Sequence, residues 1–515
     1  MCSGAGGRVT KYVRVQLTAS SVPTVSLAAT PTTVASGGTA TLVWTTSNAS
    51  SCTASGGWTG SKPTSGSAST ARISADTVYR LSCTGPGGSA VDTATVTVAE
   101  PVTGGTAVFP LRVQTGVRHL IDARGRAFLV NGDTPWSLIV QATRAEAETY
   151  LEDRRLKRIN AILINLIEHH FSDNPPNNVY GQGPFLTPGD FSTPNDAYFD
   201  HAEYVIRRAA AKGILVMLAP AYMGWGGGVE GWYQEMRRNG AAKLRSYGRY
   251  LANRFRDYDN ILWVHGGDYN PPDLTLLRAI PNGIRELDSR WLHTFHGSRG
   301  TTATEYLGTG EPWLDVNTIY TGNTPLAEAM QQYTRSTMPF FLVEAVYEDQ
   351  GIEAHGVRVQ AYQTILSGGT GHFMGHRLLW NMLSATWPSA LGSGGARTLS
   401  YMPQVLETGQ WWKLQPDVSA RLVTAGIGSG VNRVAAGLAS DDSVALAYVP
   451  TARTITVALA QLDGPRVSAR WYDPTSGAYR AISGSPFARS TRTFTAPATN
   501  SQGDPDWVLV LQSVP

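Results

Sequence analysis

The sequence predicts a multidomain chain: an N-terminal β-sandwich, a (β/α)8 barrel of the TIM type, and a C-terminal β-sandwich. Three observations carry this. The first hundred residues alternate Ser/Thr-rich β runs around Trp44, Cys52 and Cys83. Residues 108–417 alternate short apolar runs with amphipathic helical stretches, the pattern of parallel strands with crossover helices. From 418 to 515 the helical periodicity vanishes and alternating strands separated by Gly, Pro and Asp replace it.

Residues 1–20 read as the truncated end of a repeat. Cys2-Ser3-Gly4-Ala5-Gly6-Gly7 parallels Cys83-Thr84-Gly85-Pro86-Gly87-Gly88, and the alternating run Val9–Leu17 matches Ala90–Val98 in register. The expectation is a chain cut from a longer array, leaving Cys2 without its partner. The complete copy spans 21–100, with Trp44, then Cys52, and Tyr79 shortly before Cys83. A buried tryptophan, a cysteine pair and a tyrosine ahead of the second cysteine are marks of an immunoglobulin-like sandwich. Cys52 and Cys83 are expected to bridge its two sheets, which implies an oxidising compartment. With Trp58 the one candidate for an exposed aromatic platform, the module reads as a spacer rather than a glycan binder. Residues 101–107, rich in Pro, Thr and Gly, form a linker.

In the barrel region a hairpin turned at Ala123-Arg124-Gly125 precedes eight candidate strands: Phe128–Asn131, Ala161–Ile167, Ile214–Ala219, Ile261–His265, Leu292–His296, Val316–Tyr320, Phe340–Glu344 and Gly371–Met374. Helices fit between them, for example Ala145–Arg158, Asp200–Lys212 and Ala241–Tyr258. No Gly-rich phosphate loop follows the first strand, which disfavours a doubly wound nucleotide-binding sheet. In the last domain Val444–Val449, Ile455–Leu459, Val467–Tyr472 and Trp507–Leu511 are the clearest strands.

Composition narrows the partners. Charged residues are only 16% of 515, and the net charge of +3 comes without a basic run, so no nucleic-acid footprint exists. No apolar stretch is long enough to span a bilayer. The segment after Met1 is polar and glycine-rich, so an export signal would be removed or lie upstream. The expectation is a secreted or cell-surface, monomeric protein with a polysaccharide or oligosaccharide as partner.

Nearly every candidate strand ends in a residue able to contact a sugar. In order these are Asp133 and Trp136; Glu168, His169 and His170; Tyr222 and Trp225; His265, Asp268 and Asn270; His296; Tyr320; Glu344 and Tyr347; and His372 and His376. In a barrel the C-terminal ends of the strands carry the chemistry. Asp268 and Glu344 each end an apolar run, and two carboxylates on different strands suit the acid and the nucleophile of glycoside hydrolysis. The plainer reading makes Asp268 a helix cap and Glu344 an arginine partner. Trp136, Tyr222 and Trp225 offer faces for sugar rings, while Asp133, His170, His265, Asn270, His296, Tyr320 and His372 offer polar atoms for hydroxyls. A metal is disfavoured: Glu168-His169-His170 lacks HExxH spacing, and adjacent residues on a strand point to opposite faces. No GxSxG elbow appears. The reading includes neither metal nor cofactor.

A family resemblance follows. Asn131-Gly132-Asp133-Thr134-Pro135-Trp136, His265-Gly266-Gly267-Asp268, the strand ending in Glu344, Gly371-His372 and Trp411-Trp412-Lys413-Leu414-Gln415-Pro416-Asp417 together resemble the apiosidase-like barrels of glycoside hydrolase family 140. Trp471-Tyr472-Asp473-Pro474 and Asp506-Trp507-Val508-Leu509 are similar to the sandwich that usually follows them, sometimes labelled collagen-binding. The resemblance implies a retaining hydrolase with Asp268 as acid/base and Glu344 as nucleophile, acting on a furanoside such as apiose in branched pectin. Gly-Gly-Asp stands where most of that clan has Asn-Glu, and the two glycines would let backbone approach the ligand. The alternatives are a hydrolase of a microbial arabinan or exopolysaccharide, and a surface protein that binds glycan without cleaving it.

Overall fold

The computed structural model describes residues 2–9, 11, 21–30, 32–34, 39–71, 73, 77–98, 107–383 and 385–515. They fall into two compact units, one ending at Gly104 and one beginning at Gly105. Val9 closes the described part of the first hairpin, so nearly all of the expected alternating run to Leu17 lies outside the described residues, as does most of the 101–107 linker.

In the first unit, Thr24–Thr30, Thr41–Ser47 and Gly66–Ser69 form a three-stranded sheet. A five-stranded sheet contains Ser51–Gly56, Gly60–Lys62, Thr77–Gly85, Gly88–Val98 and the short Thr33–Val34. Period-two alternation sends Leu42 and Trp44 into the core while Thr41, Val43 and Thr45 stay outside. Cys52 and Cys83 are disulfide-bonded, but not between sheets. They sit directly opposite each other on neighbouring antiparallel strands of one sheet, with Cα atoms 4.1 Å apart. The expectation of an inter-sheet bridge came from the cysteine–tryptophan pattern; strand pairing places both cysteines on the face that meets Trp44. The hairpin Cys2–Gly4/Gly7–Val9 pairs Cys2 with Val9, the same register in which Cys83 pairs with Ala90.

The second unit holds the barrel and the C-terminal sandwich. The barrel strands are β1 (Val130–Asp133), β2 (Ala161–Asn165), β3 (Leu215–Ala219), β4 (Ile261–Gly266), β5 (Leu292–His296), β6 (Asn317–Tyr320), β7 (Phe340–Glu344) and β8 (Gly371–Met374). All ladders are parallel, in the order β5-β4-β3-β2-β1-β8-β7-β6. The seam between β5 and β6 is joined by backbone bonds from Asp315 and Val316 to His293, and by the hydroxyls of Thr294 and Thr318. Leu120–Ile121 and Ala127–Phe128 form the hairpin that packs Leu120 and Phe128 against the barrel interior.

Two apolar phases run along the strands. Val130, Ala161, Leu163, Leu215, Met217, Leu262, Val264 and Phe341 fill the barrel interior. Ile162, Ile164, Val216, Leu218, Ile261 and Trp263 face the surrounding helices. Those helices bury one stripe each. Arg144–Leu156 starts with a capping box between Thr143 and Glu146 and buries Ala147, Tyr150 and Leu151. Tyr233–Arg254 is interrupted at Gly240, where φ is +70°, so its second half begins at the Ala241 read from sequence.

In the sandwich, Leu414–Pro416, Ala435–Ala439, Val444–Val449, Trp507–Val514, Arg466–Tyr472, Tyr479–Ala481 and Phe487–Ala488 form one sheet. Val423–Ala425, Thr454–Ala458 and Thr491–Thr495 form the other. Its first strand starts at Leu414, inside the range assigned to the barrel. Barrel and sandwich share a core: Val357, Tyr362 and Leu366 of helix Ala354–Leu366 cluster with Leu446, Tyr448 and Val510. Arg358 of that helix makes a bidentate pair with the buried Asp506 carboxylate at 2.8 Å for both bonds.

Candidate active site

The end of β4 bends sharply. Gly266, Gly267 and Asp268 all have positive φ, at +91°, +123° and +50°. A Cβ on Gly266 would lie 2.4 Å from the His296 carbonyl, and one on Gly267 would lie 2.2 Å from the Tyr222 ring. Only glycine fits either place. The bend is held by Gly267 N–H donating to His296 O at 2.7 Å and Met223 N–H donating to Gly266 O at 3.0 Å. The glycines therefore admit protein, namely the Tyr222 ring and the β5 backbone, rather than ligand as expected. Tyr222 Oη then donates to Asp268 Oδ2 at 2.7 Å.

Glu344 reaches the same place by a register shift. Ile319 pairs with Leu342 but the next residue, Tyr320, pairs with Glu344. Val343 belongs to the interior cluster and Ala345 to an outer one. The extra residue thus turns Glu344 toward the cavity instead of the helices.

His296 stands between the two acids. Its Nε2 is 3.3 Å from Glu344 Oε2 and 3.8 Å from Asp268 Oδ1. Trp136 stacks on its ring at 5.7 Å and 13°. Trp136 Nε1 donates to Tyr347 Oη at 2.8 Å. Burial raises the Glu344 pKa; contact with His296 opposes this and the Asp268 charge adds to it. Burial works against a charged His296, yet Glu344 and Asp268 outweigh it, so its pKa moves up.

Both carboxylates open into a cavity of about 490 Å³. Trp136, Phe171, Tyr222, Trp225, Tyr347 and Trp380 supply its aromatic wall, and Asn165, His170, Glu230 and Gln350 its other polar atoms. The volume and mixture suit a small polar ring ligand. Trp225 is 77% exposed, a platform at the rim.

The structure gathers Asp268, Glu344, Trp136, His170, Tyr222 and Trp225 at this cavity. His296 and Tyr320 lie behind the carboxylates: their rings are 5.0 Å apart, and Arg299 covers the Tyr320 ring at 5.1 Å. Four expected contacts lie elsewhere. Asp133 follows the outward phase of β1 and is fully buried, accepting from Tyr150 Oη at 2.6 Å, Arg154 Nε at 2.7 Å and Thr134 N–H at 2.9 Å. His265 shares the outward phase of Trp263; it bonds His293 at 2.9 Å, packs against Trp313, and burial lowers its pKa to about 3. His372 pairs with outward-facing Leu342, and burial lowers its pKa to about 3 as well. Asn270 ties loops together through Thr301 and the Ser298 N–H. His169 faces Glu235 and Trp232 instead of the cavity.

One donor atom each from Asp268, His296 and Glu344 lie within 4.8 Å of one another, and these residue types are able to ligate a cation as well as exchange protons. The sequence reading missed Asn165, Phe171, Glu230, Gln350 and Trp380. Asn165 was readable, since it continues the inward phase of Ala161 and Leu163. The other four lie outside the strands and carry no periodic signal.

The family profile described as "Apiosidase-like, catalytic domain" matches residues 114–413. The chain belongs to the apiosidase-like family. Its barrel is that of a glycoside hydrolase. Residues 416–512, most of the sandwich, match the profile described as "Putative collagen-binding domain of a collagenase". No curated protein sequence matches the chain. Two solved structures have a similar fold. One is a glycoside hydrolase, 24% identical with a TM-score of 0.69, covering 78% of this chain and 96% of its own. The other is a family 5 glycoside hydrolase from Bacteroides vulgatus, 23% identical with a TM-score of 0.69, covering 78% and 93%. In this apiosidase-like barrel Glu344 ends β7, Asp268 follows β4, and both line one cavity.

Proposed function

We propose that this apiosidase-like protein is a retaining glycoside hydrolase in which Glu344 is the nucleophile and Asp268 the acid/base. The observation that supports this most is the spacing. Carboxylate oxygens of the two residues come within 4.8 Å of each other. Retaining enzymes hold their carboxyl groups about 5–5.5 Å apart, and so close an approach of single oxygens accords with that arrangement. Glu344 attacks the anomeric carbon as the bond to the leaving oxygen breaks and Asp268 protonates that oxygen. Water then displaces the glycosyl ester and returns its proton to Asp268. His296 is the cation that keeps Glu344 ionised despite its burial.

The substrate in this reading is a furanoside such as apiose on branched pectin, met outside the cytoplasm. A five-membered ring offers little apolar face, so hydrogen bonds at the cavity floor orient it while Trp225 stacks on the neighbouring sugar. The Cys52–Cys83 bridge accords with an oxidising location. Among the described residues no helix is long and apolar enough to cross a membrane.

The test is product chromatography on pectic, arabinan and bacterial polysaccharides. Release of apiose-terminated fragments is expected. Cleavage only of a pyranoside polymer would retain the mechanism and discard the sugar. Glu344→Gln should abolish turnover with an unchanged fold, and wild-type-like turnover by that variant would refute the nucleophile.

A further inference from the structure

Behind the end of β2 lies a carboxyl group that the hydrolytic steps do not use. Glu168 is 1% exposed. Its Oε2 accepts from Ser137 Oγ at 2.6 Å and faces Asn165 Nδ2 at 3.5 Å. Burial pushes its pKa up to about 7, opposed by Ser137, Asn165, Ser172 and the Phe171 N–H. The titratable groups on the packed elements have other partners. From helix Asp196–Ala211, Tyr198 Oη donates to Leu166 O and His201 Nε2 contacts Ala142 O. On Glu168's own loop, His169 faces Glu235, and His170 lies edge-on to Phe171.

Asn165 connects this carboxyl to the cavity. It ends β2 in the inward phase, borders the cavity, and its Oδ1 has no partner among the described residues. An amide has a donor end and an acceptor end, and the group behind it determines which one faces forward. An ionised carboxylate only accepts, so it takes the NH2 end and leaves Oδ1 free. A protonated carboxyl can donate to Oδ1, which turns the NH2 end outward. The 3.5 Å separation is at the long limit of a hydrogen bond, and no other described side chain holds the Asn165 amide.

We propose that Asn165 is a specificity-determining contact for a sugar hydroxyl, and that the proton on Glu168 sets whether Asn165 offers that hydroxyl an acceptor or a donor. This rests on the reading of the cavity as a glycoside site. Glu168 is a positioning residue: it acts through Asn165 and does not touch substrate. In this proposal the hydroxyl is not on the anomeric carbon, so the contact changes binding of ground state and transition state together. It therefore moves KM and leaves kcat nearly unchanged.

The closing experiment has two arms on the full chain. The first needs no substrate. The Asn165 side-chain amide resonance, identified by its loss in Asn165→Ala, is followed across pH with selective 15N labelling. It should titrate with a midpoint near 7 in the wild type and stay flat in Glu168→Gln, and a flat wild-type trace would overturn the switch. The second arm uses whichever polysaccharide of the pectic and arabinan panel the wild type cleaves. Wild-type KM should change across pH 7, and Glu168→Gln should remove that change. Asn165→Ala, which removes both ends of the amide, should raise KM about tenfold, the weight of one lost hydrogen bond, with kcat within about twofold. If that variant does not fold, Asn165→Ser takes its place in both arms. An unchanged KM in the folded variant would overturn the contact. If no polysaccharide is cleaved, the hydrolytic reading fails while the first arm still decides the coupling.

Discussion

Glu344 is enclosed and has a second carboxylate within 4.8 Å, so its ionisation carries a free-energy cost unless positive charge is close. His296 supplies that charge at 3.3 Å, and its own pKa is raised by the two acids it serves. The sign of its removal follows. Without His296, a contact that lowers the Glu344 pKa is lost, so that pKa rises further. With Glu344 as the proposed nucleophile, the acid limb of kcat/KM, which reports the free enzyme's essential ionised group, should move to higher pH in His296→Ala. A pH–rate profile checks it; an unmoved limb would show that His296 serves packing alone. Trp136 matters for the same reason, since its stacking fixes the ring between the acids.

At the scale of elements, the sharp bend after β4 and the register shift in β7 place the two carboxylates together. Gly267→Ala puts a Cβ 2.2 Å from the Tyr222 ring at a φ of +123°. Tyr222 must then leave Asp268. The expected result is a loss of about 1–3 kcal/mol in stability together with a steep loss of activity, measured by denaturant unfolding and rate assays on one preparation. In the first unit, Cys52 and Cys83 are cross-strand neighbours. Replacing both with alanine should cost that unit about 2–4 kcal/mol while the barrel's own melting transition stays where it is, as calorimetry would record. The barrel strands were legible because parallel strands buried on both faces are continuous apolar runs, and the acids that end two of them stood out against that background. Asp133, His265 and His372 sit near strand ends, but their phase along the strand, and not that nearness, decides that they face away from the cavity. Counting from Leu262 and Val264 inward puts His265 outside. Phe171, Glu230, Gln350 and Trp380 were invisible because their positions depend on loop paths that no local pattern encodes.

For the whole molecule, the contact between barrel and sandwich is built around a buried charge pair. Arg358 bonds Asp506 twice and Asp504 once, all at 2.8 Å, while Tyr448 and Asn500 donate to Asp506 at 2.9 Å. Removing one partner strands a buried charge. Arg358→Met should therefore cost about 3–5 kcal/mol, whereas Arg358→Met with Asp506→Leu should cost less, because the one carboxylate left without its arginine, Asp504, is partly exposed to water. Thermal unfolding of the wild type and both variants decides it; equal losses in the single and double variants would show that packing outweighs the charge pair. Barrel and sandwich should melt together in each.

That shared core has a consequence for exchanging parts between proteins. Helix Ala354–Leu366 follows the strand that carries Glu344, and its other face is roofed by Tyr448 and Val510 of the sandwich. The sandwich is thus not a cassette hung on an enzyme; it is the ceiling over a helix of the barrel itself. A chimera that swaps it for a foreign domain exposes Tyr362 and orphans Arg358, so grafting should respect a boundary ahead of Gly105 and treat everything after it as indivisible.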